Sequence, residues 1–146
     1  MSRHEKIELA QTINYLIALV WLLNGLCCKV LNYVPRHEQI VAKILNASYS
    51  RELTVVIGLG ELVMAIWILS GYKKFTCAWM QIGIVFTMNL LEWLFARDLL
   101  LIGNLNFLFG AVFLCIVYLN AFRLSNPKFS IRLILHLKDF MNVCTY

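Results

Sequence analysis

Residues 53–72 read Leu-Thr-Val-Val-Ile-Gly-Leu-Gly-Glu-Leu-Val-Met-Ala-Ile-Trp-Ile-Leu-Ser-Gly-Tyr. As a helix rising about 1.5 Å per residue, such a run crosses a hydrocarbon layer about 30 Å thick. Its one charge, Glu61, falls near the middle. Three further apolar runs of spanning length flank it: Leu9–Tyr33, Phe75–Ala96 and Leu99–Phe122. A backbone in lipid must satisfy its own hydrogen bonds, and a lone helix does so. The predicted fold class is therefore all-α, an integral membrane four-helix bundle.

Composition agrees. Of 146 residues, 61% are hydrophobic and 14% charged, well below the quarter or so that a soluble domain carries. Mean hydropathy is +0.74. Four spans consume the length, so one membrane domain over residues 1–146 is expected. The net charge of +5 does not indicate nucleic acid: the basic residues are scattered at span ends, where anionic lipid headgroups attract them. The first run is too long for a cleaved signal and no A-x-A-like site precedes it, so it reads as a retained span.

Pro35 breaks the chain after the first run. Residues 36–45 then place Ile40, Val41, Ile44 and Leu45 on one side, with Arg36, Glu38 and Lys43 elsewhere. That pattern predicts a short amphipathic surface helix between spans 1 and 2. Residues 127–146 read as an amphipathic tail. Arg97–Asp98 reads as a tight turn between antiparallel spans 3 and 4. Lys/Arg counts near the span ends, eight against five, place both termini in the cytoplasm.

Polar residues inside the spans point to function, because each is expensive in lipid. Threading the four runs up and down sets Asn24, Lys29, Glu61, Asn89, Glu92, Asn104 and Asn106 at the middle or in the half nearest residues 36–45. Asn14, Gln81 and Asn120 occupy the other half. The candidate pocket is Asn24, Lys29, Glu61, Asn89, Glu92 and Asn106, with Lys29 pairing Glu61 or Glu92. Gly58 and Gly60 would let a neighbouring helix approach Glu61. Gln81, Asn89 and Glu92 share one stripe, whereas Asn24 and Lys29, about 140° apart on an α-helix, do not share a narrow face. Competing readings are interfacial snorkelling for Lys29, a solvated position for Glu92, interhelical hydrogen bonds for the asparagines, and a purely structural network. The tryptophans read as belt or packing residues. The five cysteines form no C-x-x-C and read as small apolar fillers. No metal site is expected.

The stretch Trp21-Leu-Leu-Asn-Gly-Leu-Cys-Cys-Lys-Val-Leu-Asn-Tyr-Val-Pro-Arg-His-Glu, the stretch Ile57-Gly-Leu-Gly-Glu-Leu-Val-Met-Ala-Ile-Trp and Met88-Asn-Leu-Leu-Glu resemble the DoxX-like family of small bacterial four-helix membrane proteins. The resemblance covers about Ile13 to Phe122 and looks most like the Bacteroidota branch. It implies the fold and a bacterial inner-membrane location. Related proteins are linked to quinone-coupled sulfur or thiol oxidation, which makes quinone the candidate cofactor by analogy.

Three function classes follow. The first is an accessory or subunit protein whose pocket binds a lipid-soluble molecule such as a quinone. The second is an assembly component of a larger membrane complex. The third is a small proton-coupled transporter acting as a dimer. An independent enzyme fits less well, and no residue is assigned as catalytic. The expected partners are the bilayer and a membrane protein or a second copy of the chain.

Overall fold

The computed structural model describes residues 3–45, 47–96, 98 and 105–124; for residues 3, 47, 105 and 106 it describes the backbone alone. Helix α1 spans Arg3–Leu23 and runs on without a break into a π-helical segment, Asn24–Val30. Helix α2 spans Arg36–Ile44, α3 Ser50–Ser70 and α4 Lys74–Phe95. Helix α5 spans Leu105–Tyr118 and runs on as a second π-helical segment, Leu119–Leu124. Four of these elements are long and apolar enough to cross a membrane, as the four runs predict.

The boundaries differ from the sequence reading in ways that have local causes. The first span starts earlier, because Arg3–Glu8 continues the helix into polar sequence, and stops at Val30. There Arg51 donates from Nη1 to the Lys29 carbonyl at 2.8 Å and from Nη2 to the Val30 carbonyl at 2.7 Å. These are among the last carbonyls of a span, which no further turn can satisfy. Asn32, at φ 55°, then reverses the chain, a conformation asparagine tolerates better than most residues. Helix α3 ends at Gly71, whose φ of 64° and N–H bond to the Ile68 carbonyl make a left-handed cap. Only three residues separate α3 from α4, so the two are antiparallel. Of the expected Arg97–Asp98 turn, only Asp98 is described, and the 127–146 tail lies outside the described residues.

Helix α3 shows how the sequence sorts its faces. Val56, Leu59, Val63 and Ile66, at helical spacing, are all more than half exposed and form a lipid-facing stripe. Thr54, Gly58, Glu61, Met64, Ala65 and Ile68 turn inward. The inward face meets α1, and there the backbones come close. A Cβ on Gly25 would lie 2.7 Å from the Gly58 carbonyl oxygen, and one on Gly58 would lie 2.9 Å from the Gly25 oxygen. Small residues at a crossing allow this approach. Gly60, by contrast, faces outward with nothing within 4 Å of an added Cβ. The expectation that both glycines admit a neighbour is therefore corrected: Gly58 does, with Gly25 as its partner.

The apolar core lies toward the other end of the bundle, where Ile17, Trp21, Met64, Ile68, Cys77 and Val117 pack together. Phe122 packs its ring on Phe75, Trp79 and Tyr118 with centroids 4.9–5.8 Å apart. Helix α5 touches α1 through its Leu119–Leu124 end. At the opposite end lies a cavity.

Candidate functional site: a cavity with a buried ion pair

All five helices contribute to a cavity of about 430 Å³. Most of its wall is apolar: Val20 and Trp21 from α1, Ile57 from α3, Met88 from α4, and Phe109 and Phe113 from α5 are among the lining residues. Its polar wall is made by Asn24, Lys29, Glu61, Asn89 and Glu92, with His37 from α2. Helix α2 covers it with Ile40, Val41, Ile44 and Leu45.

The ion pair lies within this wall. Lys29 Nζ donates to Glu61 Oε1 at 2.7 Å, and the two residues are 4% and 3% exposed. Asn24 Nδ2 donates to the same oxygen at 3.5 Å. Of the two glutamates open to Lys29, Glu61 is the one it pairs. Snorkelling is excluded, because the ammonium turns inward.

The way Asn24 and Lys29 converge corrects the expectation that they do not share a face. On an α-helix residues five apart diverge. From Asn24 to Val30 the backbone is π-helical, with bonds such as Leu31 N–H to the Leu26 carbonyl at 2.8 Å. A π-turn closes its bonds five residues back, so residues i and i+5 lie nearly one above the other. The wider turn sets both side chains on Glu61. Such π-segments recur at functional sites.

Asn89 Nδ2 donates to the Val85 carbonyl at 2.8 Å. Its Oδ1 would lie 2.6 Å from a Cβ at Gly110, so the glycine in α5 makes room for that amide. Glu92 is half-buried on the cavity wall. Glu61 Oε2 is buried and has no hydrogen-bond partner among the described residues. Gln81, although on the same stripe as Asn89 and Glu92, does not join the cavity. It lies deeper in the core, where it accepts from Trp21 Nε1 at 3.1 Å. Asn120 Nδ2 donates to Asn14 Oδ1 at 2.7 Å. These two bonds link helices across the other half of the bundle, beside the apolar core. The Asn106 side chain and Asn104 lie outside the described residues.

Sequence reasoning missed several contributors. Gly25 and Gly110 carry no polar signal, and their role appears only when two helices are placed side by side. Arg51 carries no signal beyond its charge, yet it closes the end of the first span through the Lys29 and Val30 carbonyls. Trp21 was read as packing; its N–H has a polar partner across the bundle, which its position among polar span residues would have allowed. His37 sits on α2 facing the cavity. Burial, then the positive charges of Lys29 and Arg36, hold its imidazole down to a pKa of about 4, so it is neutral at physiological pH. On the outer side of α2, Lys43 pairs with Asp98, and that bond draws the Asp98 carboxyl below its usual range.

The arrangement is a deep apolar chamber with a few polar groups on its wall. It supplies buried acceptors, one ammonium and a neutral imidazole. Its geometry suits holding a small amphipathic molecule and exchanging a proton with it at a carboxylate. No cluster of metal-ligating side chains occurs among the described residues.

No curated protein and no solved structure matches this chain. The model of the DoxX-like family matches residues 18–121, from the cavity half of α1 to the end of α5. Its four spanning helices and that match make the chain a multi-pass membrane protein that belongs to the DoxX-like family.

Proposed function

We propose that this protein binds a lipid-soluble molecule with a polar head, of the quinone class in size and chemistry, inside the bundle. The observation that carries the proposal is the cavity of about 430 Å³, which falls within the range of small-molecule sites, about 300–1,000 Å³. Its wall is mostly apolar and its polar groups are few and convergent. A structural ion pair needs no chamber beside it. The protein acts as an accessory or subunit protein in the bacterial inner membrane, with both termini in the cytoplasm. Charge distribution supports that orientation, because the side holding both termini collects more Lys and Arg.

The test is to purify the full chain in mild detergent and extract it for mass spectrometry. A stoichiometric lipid-soluble molecule, retained by the wild type and lost on Ile57→Trp, supports the proposal. Ile57 lines the cavity, and tryptophan there would fill it. A stoichiometric protein partner with no small molecule would instead favour the assembly reading. Absence of both, with a stable dimer, would favour the transporter reading.

A further inference from the structure

The seams between the spans are not sealed alike at the depth of the cavity. Helices α1 and α3 meet backbone to backbone at Gly25 and Gly58. Helices α4 and α5 interlock where the Asn89 amide fills the space over Gly110. Helix α2 lies on both α3 and α4. The seam of α1 with α5 differs. Among the described residues, α5 meets α1 at Leu119–Leu124, where Asn120 bonds Asn14, at the end away from the cavity. Beside the cavity, Val20 of α1 and Phe109 of α5 both line the chamber, yet they are 49% and 61% exposed. Residues that line a chamber and are also exposed stand at its mouth. Leu16 and Leu23 share the face of Val20, and Val112 and Ile116 that of Phe109; all four are exposed. Val20 and Phe109 lie within spanning segments, so this mouth opens on hydrocarbon. Leu45, at the end of α2, also lines the chamber and is exposed, but there the cover is tied down. Lys43 pairs with Asp98, and Asn32 donates to Glu38 at 3.2 Å.

Resting on the reading that the cavity is a ligand site, we infer that its ligand is a long-tailed amphiphile of the bilayer that enters sideways between α1 and α5. Its head reaches the polar wall and its tail stays in the seam, with the end of the chain in the lipid. A compact solute arriving from water needs no such seam. A tail longer than the chamber does, and along this route it never leaves apolar surroundings for water.

The test uses the full-length protein in phosphatidylcholine–phosphatidylglycerol vesicles. Two probes, para-butylphenol and para-hexadecylphenol, each carry a diazirine at the tip of the tail. After irradiation, labelled residues are mapped by peptide mass spectrometry, and only labelling that the unlabelled phenol competes away is counted. The short probe should mark the chamber around Met88 and Phe113. The long probe should mark the seam, around Val20 and Phe109. Val20→Trp narrows the mouth at an exposed position, where the fold tolerates it, and should lose most of the long probe's labelling. Val56→Trp, on the lipid-facing stripe of α3, should keep it. Labelling of the chamber by the short probe alone would overturn the long-tailed ligand while leaving the ligand site standing. Long-probe labelling on Leu45 and α2 in place of the seam, or equal labelling of the two variants, would overturn the sideways route in the same way. No competed labelling by either probe would overturn both readings.

Discussion

Glu61 and Lys29 stabilise the bundle only as a pair. Each alone would be a buried charge without a partner, and removing one partner from such a pair costs about 3–5 kcal/mol. Lys29→Met or Glu61→Leu should each lower thermal stability in detergent by that order. The double replacement should recover most of it, because apolar residues of similar volume often replace buried ion pairs without loss. Thermal unfolding of the three variants measures the coupling; additive losses would show that the pair is not an energetic unit. His37 offers a second residue-scale prediction. Its folded pKa of about 4 lies below the ordinary value of 6.5, so between those values the unfolded chain binds more protons than the folded one. Stability therefore falls as pH drops from about 6.5 toward 4. His37→Gln should flatten that fall, measured as unfolding temperature against pH. An unchanged slope would mean that His37 is not held neutral against the cavity. The depth of Glu61, Asn89 and Glu92 was readable from the runs alone, since charge at mid-span has few places to go. Which cation pairs which acid was not, because it depends on how far each helix is rotated.

That rotation is set at the scale of the element. The π-helical turn of Asn24–Val30 moves Lys29 onto the side of Asn24, and nothing in the residue spacing announces it: an α-helix is the default period, and the sequence reading followed it. The crossing of Gly25 and Gly58 fixes the same region from outside. Gly58→Ala puts a methyl 2.9 Å from a backbone oxygen, which a flexible side chain cannot relieve. It should destabilise by about 1–3 kcal/mol, the usual range for forced overpacking. Gly60→Ala meets nothing and should change stability by less than about 1 kcal/mol. Thermal melts of the two variants in one detergent compare them directly. Equal effects would mean that the α1–α3 crossing is not as close as described. Helix α2 was legible as amphipathic from Pro35 and its apolar side. Its service as the cavity's cover was only partly so, because His37 facing inward has no signature in sequence.

At the scale of the whole molecule, four antiparallel spans bring the Arg3 end of α1 and the Leu124 end of α5 to one side, and the Asn14–Asn120 bond ties them. Reporter fusions at the two ends should therefore report the same compartment, and the Lys/Arg balance predicts the cytoplasm. Opposite compartments would contradict the four-span bundle; two external ends would contradict only the orientation. The architecture was legible because hydrophobic length in lipid admits few alternatives. The chamber was not, since a cavity is what packing leaves over and no single residue encodes it. Its occupancy is the central claim, and photoaffinity labelling measures it most directly. A diazirine-bearing alkylphenol, irradiated with the full-length protein and mapped by peptide mass spectrometry, should mark α4 and α5 around Met88 and Phe113. Unlabelled phenol should compete that labelling away. Labelling that resists competition, or that falls only on the lipid-facing stripe of Val56, Val63 and Ile66, would contradict the account.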